Sequence, residues 1–247
     1  KGITYDMPIA SAQVKSCLLL AGLYAIGDTR IFEPAPCRDH TERMLQGFGY
    51  SVSVDAKEGA SAVVGGADLQ ATEIDVPADI SSAAFFLVAA AITPGSDLTL
   101  HHVGVNPTRI GIINLLRDMG ANIERSNERL VGGEPVADLR VRYKPLKGIV
   151  ISEAQIPLAI DEFPVLFIAA ACAEGDTLLH GAEELRVKES DRLDAMAQGL
   201  EKLGVTVETF DDGIKVTGGP MGGATVDSFG DHRIAMAFTV AGLRAES

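Results

Sequence analysis

Tryptophan is absent from this chain of 247 residues, and aromatic side chains of all kinds make up only 5% of it. Ala, Val, Leu and Ile dominate instead, which suits helices packed on sheets. Cysteine is scarce: Cys17, Cys37 and Cys172 are an odd number without zinc-ligand spacing. That argues against a disulfide framework or a zinc site, and for reduced thiols in a cytoplasmic protein. Cys17 and Cys172 fall in apolar helical stretches, where a free thiol acts as a small hydrophobe. Basic charge is short as well, with 21 Lys and Arg against 34 Asp and Glu and a net charge of −13. A general nucleic-acid binder needs a basic face, so the balance argues against that class. Small anionic substrates are not, because a cleft can be locally positive on an acidic protein. The longest apolar runs, near 17–26 and 165–173, fall short of the ~20 residues of a membrane span.

Familiar site motifs are missing too. There is no GxGxxG, no P-loop lysine, no nucleophile elbow and no Cys/His signature. The five His residues include His101-His102 but no metal-like cluster with Cys or carboxylates. The chain opens at Lys1-Gly2 without a signal-type segment and stops inside a helical pattern, so both ends read as cut.

What the chain does have is a repeat. Apolar helices are predicted over 9–25, 80–92, 160–173 and 232–243. A Gly-containing turn follows the first three, at Gly27, Gly95 and Gly175, and then a short strand over 29–32, 98–103 and 177–180. More polar helices come next, over 39–48, 107–119 and 189–203, each ending at a Gly: Gly49, Gly120 and Gly204. Gly after the last apolar turn is the expected left-handed helix stop. Alternating strands follow over 50–54, 121–125 and 205–210, and a closing strand near Gly65-Gly66, over 139–143 and over 214–219. The stop glycines lie 71 and 84 residues apart, too long for a solenoid period of 20 to 50 residues. The order is strand, helix, strand, helix, strand, strand. The prediction is an α/β fold of repeated βαβαββ units: one over 1–76, two over 77–222, and the first half of another.

Charge gathers at the mouths of the apolar helices. Asp79, Asp161, Asp231 and Ser11 stand just before them, and N-capping by a side-chain oxygen accounts for Asp79. For Ser11 capping and binding stand side by side. For Asp161 and Asp231 the neighbours point further. A helix start carries free N–H groups and a partial positive charge that suit phosphate or carboxylate. Arg233, two residues past Asp231, can reach from that mouth with a bidentate fork. Arg192 follows Glu189 by three residues, on one helical face, with Lys188 beside the start. A solvated face of local ion pairs explains the same spacing. Arg38-Asp39-His40-Thr41 is open in the same way, to a cap or to a phosphate contact. Carboxylates, lysines and arginines together form a kit for acid–base chemistry on an anionic substrate.

Five segments in order resemble the 5-enolpyruvylshikimate-3-phosphate synthase family. They are Ala10-Ser11-Ala12-Gln13-Val14-Lys15-Ser16, Pro36-Cys37-Arg38-Asp39-His40-Thr41, Ile160-Asp161-Glu162-Phe163-Pro164, Lys188-Glu189-Ser190-Asp191-Arg192-Leu193 and Gly230-Asp231-His232-Arg233-Ile234-Ala235-Met236. Ala12 after Ser11, and Arg38 in its segment, look like the glyphosate-tolerant bacterial branch. The resemblance implies transfer of the enolpyruvyl group from phosphoenolpyruvate to the 5-hydroxyl of shikimate 3-phosphate, in the cytoplasmic shikimate pathway to aromatic amino acids. It implies no metal or organic cofactor and no nucleic-acid or membrane partner. Ser11, Ala12 (through its backbone), Gln13, Arg38 and Lys188 would bind shikimate 3-phosphate. Asp161 would hold the ring hydroxyls and accept the 5-hydroxyl proton. Glu189 would move a proton at the methylene of phosphoenolpyruvate, and Arg192 and Arg233 would hold its carboxylate and phosphate.

The fold implied is the inside-out α/β barrel of enolpyruvyl transferases, in incomplete form. Residues 1–76 would be the last repeat of an N-terminal-type domain, and 77–247 most of a C-terminal-type domain truncated before its end. Uncovered apolar surface would then favour self-association. A relative acting on UDP-N-acetylglucosamine shares the repeat, and a non-catalytic scaffold or binding module is the alternative outside enzymes.

Overall fold

Left-handed glycines fall at the same places in each segment of the chain. In the structure, a computed structural model describing residues 1–246, Gly49, Gly120 and Gly204 have φ of +75°, +93° and +83°. Each lets the chain reverse after a helix in a conformation that a Cβ disfavours. The first segment holds β1 (Thr4–Asp6), α1 (Ala12–Gly22), β2 (Asp28–Phe32), α2 (His40–Gly47), β3 (Val52–Asp55) and β4 (Ala60–Val64). The second holds α3 (Ile80–Ile92), β5 (Asp97–Gly104), α4 (Gly111–Asp118), β6 (Asn122–Val131) and β7 (Glu134–Arg142). The third holds α5 (Ile156–Ala159), α6 (Phe163–Ala171), β8 (Asp176–Leu179), α7 (Arg192–Lys202), β9 (Thr206–Phe210) and β10 (Gly213–Thr217), and α8 (His232–Ala241) opens the next.

The three sheets share one wiring: β1-β2-β4-β3, β5-β7-β6 and β8-β10-β9. β1 runs parallel to β2. Its counterparts shrink to single parallel bridges, Ala78 with Val103 and Val150 with Leu178. The repeated βαβαββ order read from the sequence is therefore the order found. Within strands the period of two decides the faces. On β10, Ile214 and Val216 are buried, while Lys215 between them pairs outward with Glu208 across the ladder at 2.8 Å.

The chain divides into two units. The first is Lys1–Pro77 with Arg129–Val136, the tip of the β6–β7 hairpin; the second is Ala78–Glu128 and the chain from Ala137 onward. In the first unit Leu19, Ile31, Leu45, Tyr50 and Val63 form a small core. Lys15 is buried against it between Glu33 and Glu42, at 2.9 and 2.8 Å. Burial alone would lower the Lys15 pKa, but the two carboxylates reverse that and raise it. The outer face of α1 and the turn after it leave Val14, Leu20, Tyr24 and Ile26 exposed, Tyr24 at 93%.

In the second unit α3, α6 and α8 pack on one another. Every residue of α6 is buried, as a helix apolar on all sides requires. Among the described residues no single helix is long and apolar enough to cross a membrane.

Four helix boundaries differ from the sequence expectation, each for a local reason. The helix expected over 160–173 is broken: α5 and α6 meet at 117°, and Pro164 sits in the first turn of α6. Proline has no N–H to continue a preceding helix, so the helix restarts and Asp161 is left in the turn. The helix expected from 189 begins at Arg192, because Asp191 caps it by accepting from the Asp194 N–H at 3.0 Å. Glu189 thus precedes the helix instead of sharing a face with Arg192. The helix expected over 9–25 is trimmed to Ala12–Gly22 behind the Ser11 cap. The one expected from 107 starts at Gly111, since Asn106 Oδ1 holds the Thr108 N–H in a turn at 2.9 Å.

Candidate functional site

Three helix starts in the second unit carry the charged side chains singled out above. Asp79 caps α3, accepting from the Ser81 and Ser82 N–H groups at 3.2 and 3.1 Å. Asp231 caps α8, accepting from the Arg233 N–H at 2.8 Å. It does more than cap. Its other oxygen accepts from Arg192 Nε at 2.8 Å and from Ser190 Oγ at 3.1 Å. Asp231 is 0% exposed and Arg192, the first residue of α7, 1% exposed. Burial would raise the Asp231 carboxyl, but the bonds from Arg192, the Arg233 backbone and Ser190 outweigh it and hold it below the usual range. Two buried ions are thus matched, as burial of charge demands.

The rest of the Arg192 fork reaches two carboxylates. Nη2 donates to Glu189, whose side chain is 55% exposed. Nη1 is buried, lies 3.8 Å from Asp161 Oδ1 and makes no hydrogen bond among the described residues. Asp161 sits in the turn between α5 and α6 with its side chain 20% exposed. Arg233 donates through Nη1 to the Asp161 backbone carbonyl at 2.9 Å, and its Nη2 is 4.0 Å from Asp161 Oδ2. Asp161, Glu189, Arg192 and Arg233 therefore come together, from a turn, a loop and two helix starts. Lys188 is spent elsewhere, paired with Glu184 of the preceding 3-10 turn.

The remaining expected residues lie in the first unit. Ser11 caps α1 with its oxygen 3.3 Å from the Val14 N–H and 3.4 Å from Gln13 Oε1. Ala12 opens the helix and Gln13 is exposed. Arg38 is half-buried just ahead of α2. Asp39, at the cap position of α2, makes no cap bond and pairs instead with Arg43 Nε at 2.9 Å.

Four residues of the second-unit cluster had no assigned part. Ser190 braces Asp231. Glu162 is buried behind Asp161, bonded by Ser81 Oγ and 3.8 Å from Arg233. Arg109 holds that serine and pairs with Asp79 at 3.1 Å. Glu162 stands inside one of the quoted segments, while Arg109 and Ser81 lie far off in sequence.

Carboxylates outnumber arginines in the cluster, so it is not a basic patch. What it offers is one unused buried donor, one partly open arginine, and two accessible carboxylates. That combination can orient a small anion and move protons beside it.

The family model for EPSP synthase (3-phosphoshikimate 1-carboxyvinyltransferase) matches residues 1–247. A 3-phosphoshikimate 1-carboxyvinyltransferase of Alkalilimnicola ehrlichii is 66% identical over 245 residues, 99% of this chain and 54% of the relative. The corresponding protein of Methylococcus capsulatus is 65% identical, over 99% of this chain and 56% of its own length. Among solved structures, an EPSP synthase from Acinetobacter baumannii superposes with a TM-score of 0.95 at 56% identity, over 99% of this chain and 57% of that one. The chain thus spans about half the length of the curated relatives it matches.

Proposed function

The chain belongs to the EPSP synthase family, and we propose that it carries part of the site that moves the enolpyruvyl group of phosphoenolpyruvate to shikimate 3-phosphate. In that reaction the 5-hydroxyl oxygen bonds to C2 of phosphoenolpyruvate and gives up its proton, while C3 gains one. Phosphate then leaves C2 and C3 loses a proton, which restores the double bond. Nothing is bonded to the enzyme, so catalysis rests on orientation and fixed charge.

Within this reading Asp161 binds the ring hydroxyls and takes the 5-hydroxyl proton. Glu189, open to solvent beside Arg192, serves the proton at C3. Arg192 and Arg233 grip the carboxylate and phosphate of phosphoenolpyruvate, with Asp231 fixing the first of them. Lys188 turns from Glu184 to shikimate 3-phosphate. Ser11, the Ala12 backbone, Gln13 and Arg38 in the first unit are further contacts to that substrate. Residues 1–76 and 77–247 are read as the last repeat of one domain and most of the next. The setting is cytoplasmic aromatic amino-acid synthesis.

The observation that carries the reading is Arg192: a buried guanidinium, held by Asp231, with one donor left free beside Asp161. Leaving a buried donor unused costs ~1–3 kcal/mol, a cost that a bound anion would remove. Because the chain spans half of its relatives, we expect it alone to turn over several powers of ten more slowly than a full-length enzyme. Phosphate release in the full-length protein tests the site. Asp161→Ala should lower kcat at least ~100-fold, and near-normal turnover would defeat the assignment.

A further inference from the structure

Glu162 has no part in the chemistry above, yet it joins two helix starts of the second unit. It stands at the cap position of α6 without making a cap bond, and its side chain is 2% exposed. Oε1 accepts from Ser81 Oγ in the first turn of α3. The same hydroxyl is held by Arg109 Nη2, which also pairs with Asp79. Arg233 Nη1 also lies 3.8 Å from that Oε1. The carboxylate therefore faces two arginines, one reached through a serine hydroxyl and the other across an ion-pair distance of 3.8 Å.

A buried carboxylate is costly, and an apolar residue of similar size is often as stable in such a place. Burial does push the Glu162 carboxyl up, with the Ser81 bond and the two arginines opposing. Packing alone does not call for a charge here, whereas orientation of a guanidinium does. Without Glu162, Arg233 keeps its bond to the Asp161 carbonyl at 2.9 Å, and its fork can turn about that bond. Glu162 Oε1 at 3.8 Å from Nη1 and Asp161 Oδ2 at 4.0 Å from Nη2 are both ion-pair distances, so the two carboxylates share the fork, and Glu162 is the one tied down from behind by Ser81.

We propose that Glu162 is a positioning residue for Arg233: Arg109 and Ser81 fix the carboxylate, and the carboxylate fixes the guanidinium that grips phosphoenolpyruvate. This rests on the transferase reading of the site. It also makes α3 a working part of that site, although α3 supplies no group to the substrate.

The test is steady-state kinetics of the full-length protein with Glu162→Gln, which keeps shape and acceptor but removes charge. The KM for phosphoenolpyruvate should rise about tenfold, as misplacement of a gripping group predicts, while the KM for shikimate 3-phosphate stays unchanged. Ser81→Ala, which leaves the carboxylate but unties it, should shift the same KM in the same direction by less. A melting curve for each variant checks that it folds. Removing a negative charge would by itself attract an anion more strongly, so an unchanged or lowered KM for phosphoenolpyruvate in Glu162→Gln overturns the proposal. Arg233→Ala separates the two levels. If it raises that KM and Glu162→Gln does not, only the inference falls; if Arg233→Ala changes nothing, the site reading falls and the inference with it.

Discussion

Replacing Asp231 by Asn tests whether the buried ion pair organises the second unit. Asp231 is fully buried and Arg192 all but buried, joined at 2.8 Å. Asn can still accept the Arg233 N–H and so keep the cap, but it cannot neutralise the guanidinium. Arg192 would be left with Glu189, which is largely exposed, and Asp161 at 3.8 Å. Breaking one partner of a buried pair costs ~3–5 kcal/mol. For a chain of this size that is a fall in melting temperature of about 10 °C. The effect should also depend on pH. The Asp231 carboxyl is held below its ordinary value when folded, so its contribution is full above the unfolded Asp pKa and is lost as pH falls through the folded one. Circular-dichroism melts at neutral and acid pH would therefore converge for the parent and Asp231→Asn as acid is added. Adding Arg192→Leu to Asp231→Asn should recover part of the loss, since the stranded charge is gone. A variant that melts with the parent at neutral pH would refute the reasoning.

Other expectations follow from single places in the fold. A Cβ on Gly111 would lie 2.6 Å from the Leu158 carbonyl carbon, so Gly111→Ala should push α5 from α4 and destabilise by ~1–3 kcal/mol, read in a urea titration. Asp138 accepts the His102 N–H, and Asp212 bonds His180 and the Gly181 N–H; these bonds lower both carboxyls. Their support should be complete above the ordinary Asp range and fade below it, so the acid limb of stability should flatten in the double Asn variant. The exposed Tyr24 and Ile26 should make this chain self-associate, and light scattering showing a concentration-independent monomer would count against that.

The repeat was legible because it is written in features that act locally. Gly49, Gly120 and Gly204 can stop a helix in isolation, and the apolar content of 80–92 and 163–171 needs only a core to bury it. Helix ends were legible where a cap was strong, as at Asp79, and misread where a proline or an Asx turn decided, as at Pro164 and Asn106. The site was readable as a set of segments, not as a geometry. Asp161, Glu189, Arg192 and Arg233 meet through helix starts brought together by the packing of α3, α6 and α8. No spacing along the chain announces that Arg192 shares Asp231 with the cap of α8. Arg109 and Ser81 left no signal, because their partner Glu162 lies more than fifty residues away and a serine in a helix's first turn is ordinary.

The central claim is that the free donor of Arg192 is kept for substrate. A crystal structure of the full-length protein with phosphoenolpyruvate and shikimate 3-phosphate bound tests it most directly. The account predicts an anionic oxygen of phosphoenolpyruvate within hydrogen-bond reach of Arg192 Nη1, with Nε still on Asp231. A ligand seated elsewhere, with Nη1 turned onto a protein carboxylate, would contradict it.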